Sequence, residues 1–125
     1  MLSVSRGRAK REILVVEDDP DLREAVRLVL ETEGYGVRTA GHGIEALDDL
    51  RHHPKPCLIV LDLMMPVMNG WEFLNELRND KTLPDVCVVV TSAAQGGSLP
   101  DVTEVLAKPY TIDRLLRIVR RHCEP

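Results

Sequence analysis

Short apolar runs and segments of helical period alternate along the chain from Glu12 onward. Ile13-Leu14-Val15-Val16 is continuous and β-branched, the pattern of a strand buried on both faces. Asp19-Pro20-Asp21 opens a helix, since proline suits the first turn and either aspartate can cap it. Leu22, Ala25, Val26, Val29 and Leu30 recur at helical spacing as its expected buried stripe, and Gly34 and Gly36 stop it. Val37 to Ala40 reads as a second, weaker strand, and Gly43 to Arg51 as a short helix with Ala46, Leu47 and Leu50 inward. Pro54 and Pro56 break the chain before a third strand, Leu58-Ile59-Val60-Leu61. A helix over Trp71 to Arg78 buries Phe73 or Trp71 with Leu74 and Leu77, and Val86 to Val90 is the fourth strand. Gly96, Gly97, Ser98 and Pro100 make the next stretch irregular; Val105-Leu106-Ala107 is a short fifth strand. Thr111 caps a last helix whose Leu115, Leu116 and Val119 face inward. Strands alternating with helices predict an α/β fold: a five-stranded parallel sheet, right-handed crossovers, and helices on both faces.

At 125 residues the chain has room for one core and not two. Hydrophobic residues make up 44% and charged residues 29%, as in ordinary globular chains, while aromatics at 3% leave an aliphatic core. No apolar run approaches the ~20 residues that span a bilayer, and Met1 to Arg11 lacks the apolar segment of a secretory signal. A cytoplasmic location is therefore expected. Arg6, Arg8, Lys10 and Arg11 mark residues 1–11 as a disordered basic tail ahead of one domain over 12–125. The net charge of −4 argues against nucleic acid as a partner of that domain. Cys57, Cys87 and Cys123 are odd in number, widely spaced and without a CxxC pair, which argues against a disulfide or a zinc site. Cys57 and Cys87, inside apolar runs, are expected to be buried as small hydrophobes.

In an open α/β sheet, ligands bind beyond the carboxyl ends of the strands. Here the first strand ends in Glu17-Asp18-Asp19, the third in Asp62, the fourth in Thr91-Ser92 and the fifth in Lys108-Pro109. Acids at the start of a helix can serve as capping groups alone. Asp62 changes that reading, because it ends a buried strand beside the first. Two carboxylates about 4 Å apart repel by roughly 4 kcal/mol at an effective dielectric of about 20. A cation or raised pKa values must relieve such a cluster, and hard oxygen donors with room for water and phosphate suit Mg²⁺. Lys108 can neutralise a phosphoryl oxygen and Thr91 can donate to one, leaving Asp62 as the nucleophile of an aspartyl phosphate.

These residues closely resemble the receiver domain of two-component response regulators. The resemblance rests on Ile13-Leu14-Val15-Val16-Glu17-Asp18-Asp19-Pro20 and on Leu61-Asp62-Leu63-Met64-Met65-Pro66-Val67-Met68-Asn69-Gly70. Val88-Val89-Val90-Thr91-Ser92-Ala93 and Lys108-Pro109-Tyr110 follow in the expected order. It implies a flavodoxin-like (CheY-like) fold and a role in a phosphorelay. Asp62 would be the phosphoacceptor, with Asp18 on the Mg²⁺ directly, Glu17 through water, and Met64 offering its backbone carbonyl. Thr91 would follow the phosphoryl group and Lys108 would pair with it, across a cis Lys108-Pro109 peptide. The donor would be a phosphohistidine on a sensor histidine kinase or a histidine phosphotransfer protein. Such a domain catalyses only its own aspartyl phosphorylation and dephosphorylation and is not an enzyme in the usual sense. Kinase, stimulus and downstream protein have no signature here.

Two features depart from the family pattern. Val105 stands where an aromatic residue is common, and Thr91 and Lys108 are only 108 − 91 = 17 positions apart. The fourth helix of the family is therefore expected to be short or irregular, with mobile residues 93–103 and no phosphorylation-dependent dimer across that face. Partner binding is expected at the first helix or the neighbouring loops. An aspartate-nucleophile phosphohydrolase would need a second acid where Met64 stands. A module signalling by contacts alone would not need Asp62, Asp18 and Lys108 together, although Val105 keeps that alternative open. A flavin-binding relative would not place Glu17-Asp18-Asp19 against a phosphate.

Overall fold

The computed structural model describes residues 11–92, 102 and 104–124. Nine elements follow one another among them: β1 (Glu12–Val16), α1 (Pro20–Thr32), β2 (Gly36–Ala40), α2 (Gly43–His52), β3 (Leu58–Asp62), α3 (Gly70–Asn79), β4 (Val88–Ser92), β5 (Glu104–Ala107) and α4 (Ile112–Cys123). The five strands form one parallel sheet in the order β2-β1-β3-β4-β5. This is the α/β arrangement that the alternating pattern predicts. The expected fourth helix and the mobility of residues 93–103 fall largely outside the described residues, as does all but Arg11 of the expected tail.

Alternation along the strands divides the core into two layers. Leu14, Val16, Ile59, Leu61, Val88 and Val90 pack under α2 and α3. Ile13, Val15, Leu58, Val60, Val89 and Leu106 point the other way, under α1 and α4. Every residue of β3 and β4 is buried, as expected for central parallel strands. Local chemistry sets the helix ends. Asp19 caps α1 by accepting from the N–H groups of Asp21 and Leu22, with Pro20 at the first turn. Asn69 and Glu72 form a reciprocal capping box at α3, and the Thr111 hydroxyl caps α4.

Of the two aromatics that the sequence leaves open for α3, Phe73 is fully buried in the core with Leu74 and Leu77, and Trp71 is 39% exposed. Other expectations need correction. Ala25 is exposed on α1, whose stripe is Val26 and Leu30 with Leu22 and Val29 half-buried. Strand β4 begins at Val88; Val86 packs into the core ahead of the paired segment. The cysteines differ most. Cys57 and Cys123 form a disulfide across 66 residues of sequence, with their Cα atoms 5.4 Å apart, and Cys87 is exposed. The fold lays the last turn of α4 against the entry of β3, a proximity that cysteine spacing alone does not encode.

The same corner carries a testable hydrogen bond. Tyr35 is buried, and its hydroxyl donates to Glu124 just beyond α4 at 2.5 Å. Burial, then this bond, pushes the phenol up to about 12. A phenol whose pKa is raised from 10.0 to about 12 favours folding below pH 10, and that contribution fades as pH rises toward 12. Tyr35→Phe should cost about 1 kcal/mol at neutral pH. It should also flatten the alkaline loss of stability seen in urea melts of the wild type between those pH values. Equal alkaline slopes in both proteins would refute this role.

Candidate functional site

The strand register brings the predicted residues to one rim. Val16 at the end of β1 pairs with Leu61, so Glu17, bonded through its N–H to Ala40, lies next to Asp62. Asp62 pairs in turn with Thr91 on β4. Lys108 follows β5, its N–H bonds to Ser92, and the Lys108-Pro109 peptide is cis, as the resemblance implies. Glu17, Asp62, Thr91 and Ser92 are the buried polar residues among those described. They sit where the parallel strands end, as the strand-end rule anticipates.

Carboxylate oxygens of Glu17, Asp18 and Asp62 all lie within 4.8 Å of one another. The Lys108 ammonium lies 3.1 Å from Glu17 and 3.4 Å from Asp62. Burial, together with repulsion from Asp62, pushes the Glu17 carboxyl up against the opposing pull of the Asp19 N–H and of Lys108. Burial lowers the Lys108 pKa, but Glu17 and Asp62 outweigh it and hold the ammonium more firmly protonated. Two of the three acids thus share one ammonium, and the excess negative charge makes the group a cation site of hard oxygen donors.

The loop after β3 fixes the cluster. The Met64 N–H donates to Asp62 Oδ1 at 3.3 Å, and the Gly70 N–H to the Leu63 carbonyl at 2.9 Å. No sequence motif points to Arg23. Its guanidinium donates to the Glu17 carbonyl at 2.9 Å and so braces the acidic turn from α1. Only its position one helical turn into α1 could have signalled this. Val67 has φ 67° and is 72% exposed. That region costs a β-branched residue on the order of 1–2 kcal/mol. Glycine avoids the cost while making the unfolded chain more flexible. Val67→Gly should therefore raise stability by about 0.5–1 kcal/mol, read as a higher urea midpoint at unchanged slope; a lower midpoint would contradict the strain.

Comparison with known proteins agrees with this geometry. The profile of the response regulator receiver domain family matches residues 13–120. A transcriptional regulatory protein CpxR homolog of Haemophilus influenzae is 36% identical over 91% of this chain and 52% of its own length. The chain spans about half the length of that relative and of the response regulator Rre1 of Synechocystis. An uncharacterised 14.6 kDa protein of Leptolyngbya boryana, also 36% identical, matches over 92% of both chains.

Among solved structures, the response regulator TrrA of Thermotoga maritima, in complex with Mg²⁺-BeF, superimposes with TM-score 0.77 at 30% identity. The match covers 89% of this chain and 97% of TrrA. The receiver domain of the sensor histidine kinase PA1611 of Pseudomonas aeruginosa has a magnesium ion coordinated in its active-site cleft. It matches with TM-score 0.80 and 28% identity over 94% of this chain and 100% of its own. The acidic cluster here is placed as in the metal-binding, aspartate-phosphorylating site of such regulators. Sequence, sheet order and rim chemistry thus agree, and the chain belongs to the response regulator receiver domains.

Proposed function

We propose that this domain receives a phosphoryl group on Asp62 from a phosphohistidine donor, beside a Mg²⁺ held by Glu17, Asp18, Asp62 and the Met64 carbonyl. The carrying observation is the meeting of three carboxylates within 4.8 Å beside one lysine. The residues fit the ion: the donors are hard oxygens, Asp62 and Glu17 are buried, and the Lys108 ammonium that pairs with both is one charge against three carboxylates. When bound, Mg²⁺ supplies charge neutralisation for the transferring group.

The chain's own residues do the rest. An Asp62 carboxylate oxygen forms the new bond to phosphorus as the phosphorus–nitrogen bond to the donor imidazole breaks. Lys108, already shared between Asp62 and Glu17, can turn its ammonium to a phosphoryl oxygen. Thr91, beside Asp62 in the register, supplies a hydroxyl donor. Receiver domains are limited to phosphorylation and dephosphorylation of their own aspartate, so turnover of an external substrate forms no part of this reading.

A groove of about 390 Å³ opens beside Lys108, between Leu22, Ala25 and Val26 of α1 and Pro109, Tyr110 and Ile112. Its apolar walls next to the reacting aspartate suit a helical donor, either a sensor kinase or a phosphotransfer protein. A donor that protects a different surface in hydrogen exchange would contradict that placement. No helix among the described residues is long and apolar enough to cross a membrane. We place the domain in the cytoplasm, where such donors and Mg²⁺ are found.

The cation assignment is tested by calorimetry. Asp18→Ala should weaken Mg²⁺ binding at least about tenfold, the scale of one lost charged ligand, while circular dichroism shows the fold retained. Unchanged affinity would remove Asp18 from the site.

A further inference from the structure

The disulfide lies at the opposite end of β3 from the phosphorylation site. Cys57 immediately precedes β3, whose last residue is Asp62, and Cys123 is the last residue of α4. The bond therefore ties the strand that carries Asp62 to the helix whose first residue, Ile112, walls the groove beside Lys108. The Cα separation of 5.4 Å is ordinary for a cystine, so the backbone need not move to form it.

We propose that Cys57 and Cys123 form a reversible thiol–disulfide site, through which the redox state of the cell sets how firmly the end of α4 is held to the sheet. Two features support reversibility rather than a permanent staple. First, α4 is anchored without the bond: Leu115 and Val119 are fully buried, Tyr35 donates to Glu124, and Arg120 pairs with Glu33 at 3.1 Å. Cys123 is itself fully buried, where a reduced thiol packs as a small hydrophobe. The fold can thus persist in both states, with only the last turn of the helix changing its tether.

Second, the two sulfurs are unequally placed. Cys57 is half-buried at the surface end of β3, whereas Cys123 is enclosed. Attack is directed to the Cys57 sulfur, and Cys123 is the leaving thiolate. A dithiol reductant supplies the two electrons. Its first thiolate bonds to Cys57 Sγ as the Cys57–Cys123 bond breaks, and Cys123 takes a proton. The second thiol of the reductant then displaces Cys57, releasing the oxidised reductant and a free Cys57 thiol. A disulfide oxidant runs the same steps backward. In a reducing cytoplasm the tether would open, and oxidation would close it. This input is separate from the phosphoryl group, since it acts at the other end of the strand.

Cys87 is exposed, and the pairing of Ile59 with Val88 places it beside Leu58, one residue from Cys57. The test therefore uses the full chain carrying Cys87→Ser. It is equilibrated in mixtures of reduced and oxidised dithiothreitol, trapped with N-ethylmaleimide in denaturant so that the enclosed Cys123 is reached, and weighed intact. The expected result is no added maleimide at the oxidising end, two at the reducing end, and the same curve in both directions. Reduction should lower Tm by on the order of 10 °C, because the bond closes a long loop. Hydrogen exchange should rise over residues 118–123 while β1 and β3 stay protected. Adding Cys57→Ser should give one Tm in both buffers. Two maleimides in oxidising buffer would overturn the proposal, as would a bond that opens only when the whole chain unfolds. Unchanged exchange at the end of α4 after reduction would overturn it equally.

Discussion

Asp62→Asn should lose phosphoryl incorporation from acetyl phosphate by at least about 1,000-fold, the scale expected when a nucleophile is removed from a preorganised site. Asparagine matches the aspartate in size, so the buried position between Leu61 and Leu63 is kept. What disappears is the nucleophilic oxygen and one of the three charges that gather the cation. The same change removes the repulsion that Asp62 exerts on Glu17 and one of the two carboxylates beside Lys108. The variant should remain folded, and its Mg²⁺ affinity should fall. Labelling of Asp62→Asn at the wild-type rate, measured by intact mass, would remove Asp62 from the chemistry altogether.

Gly70→Ala should be the most damaging single methyl group near the site. A Cβ there would stand 2.7 Å from the Leu63 Cα and 2.9 Å from the Asp62 carbonyl oxygen. Both are backbone atoms and cannot rotate away, unlike the tip of a side chain. The first turn of α3 and the strand end carrying Asp62 would have to separate, stretching the 2.9 Å bond from the Gly70 N–H to Leu63. Overpacking of this kind costs about 1–3 kcal/mol. Relief requires the loop after β3 to move, so Asp62 and Met64 shift relative to Glu17 and Asp18. We expect a lower urea midpoint together with slower labelling of the fraction that remains folded. Full stability with wild-type labelling would show that the close approach does not position the site.

How far the sequence could be read follows from what each signal encodes. Continuous runs such as Ile13 to Val16 and Leu58 to Leu61 report burial on both faces, and burial on both faces implies a parallel sheet. Once the strands were placed, their carboxyl ends put Glu17, Asp62, Thr91 and Lys108 on one rim, where the register places them. Local capping was legible for the same reason, since Asp19 and Thr111 act on N–H groups two or three residues away.

Contacts between distant segments were not legible. Cys57 and Cys123 are 66 residues apart, and nothing in their neighbours encodes the crossing of α4 over β3. The bracing of Glu17 by Arg23 depends on how α1 leaves the acidic turn. Trp71 and Phe73 are near-equivalent by composition, and only packing under α3 chose Phe73. Val105, where an aromatic residue is common in the family, is 55% exposed on β5, so it offers no enclosed position for a ring to occupy.

The most direct test of the account is to locate the phosphoryl group itself. The wild-type chain is treated with acetyl phosphate with and without Mg²⁺, the acyl phosphate is trapped by borohydride reduction, and the modified residue is found by peptide sequencing. The account predicts one modified residue, Asp62, only when Mg²⁺ is present. Modification at another residue, or equal modification of Asp62 without the ion, would contradict it.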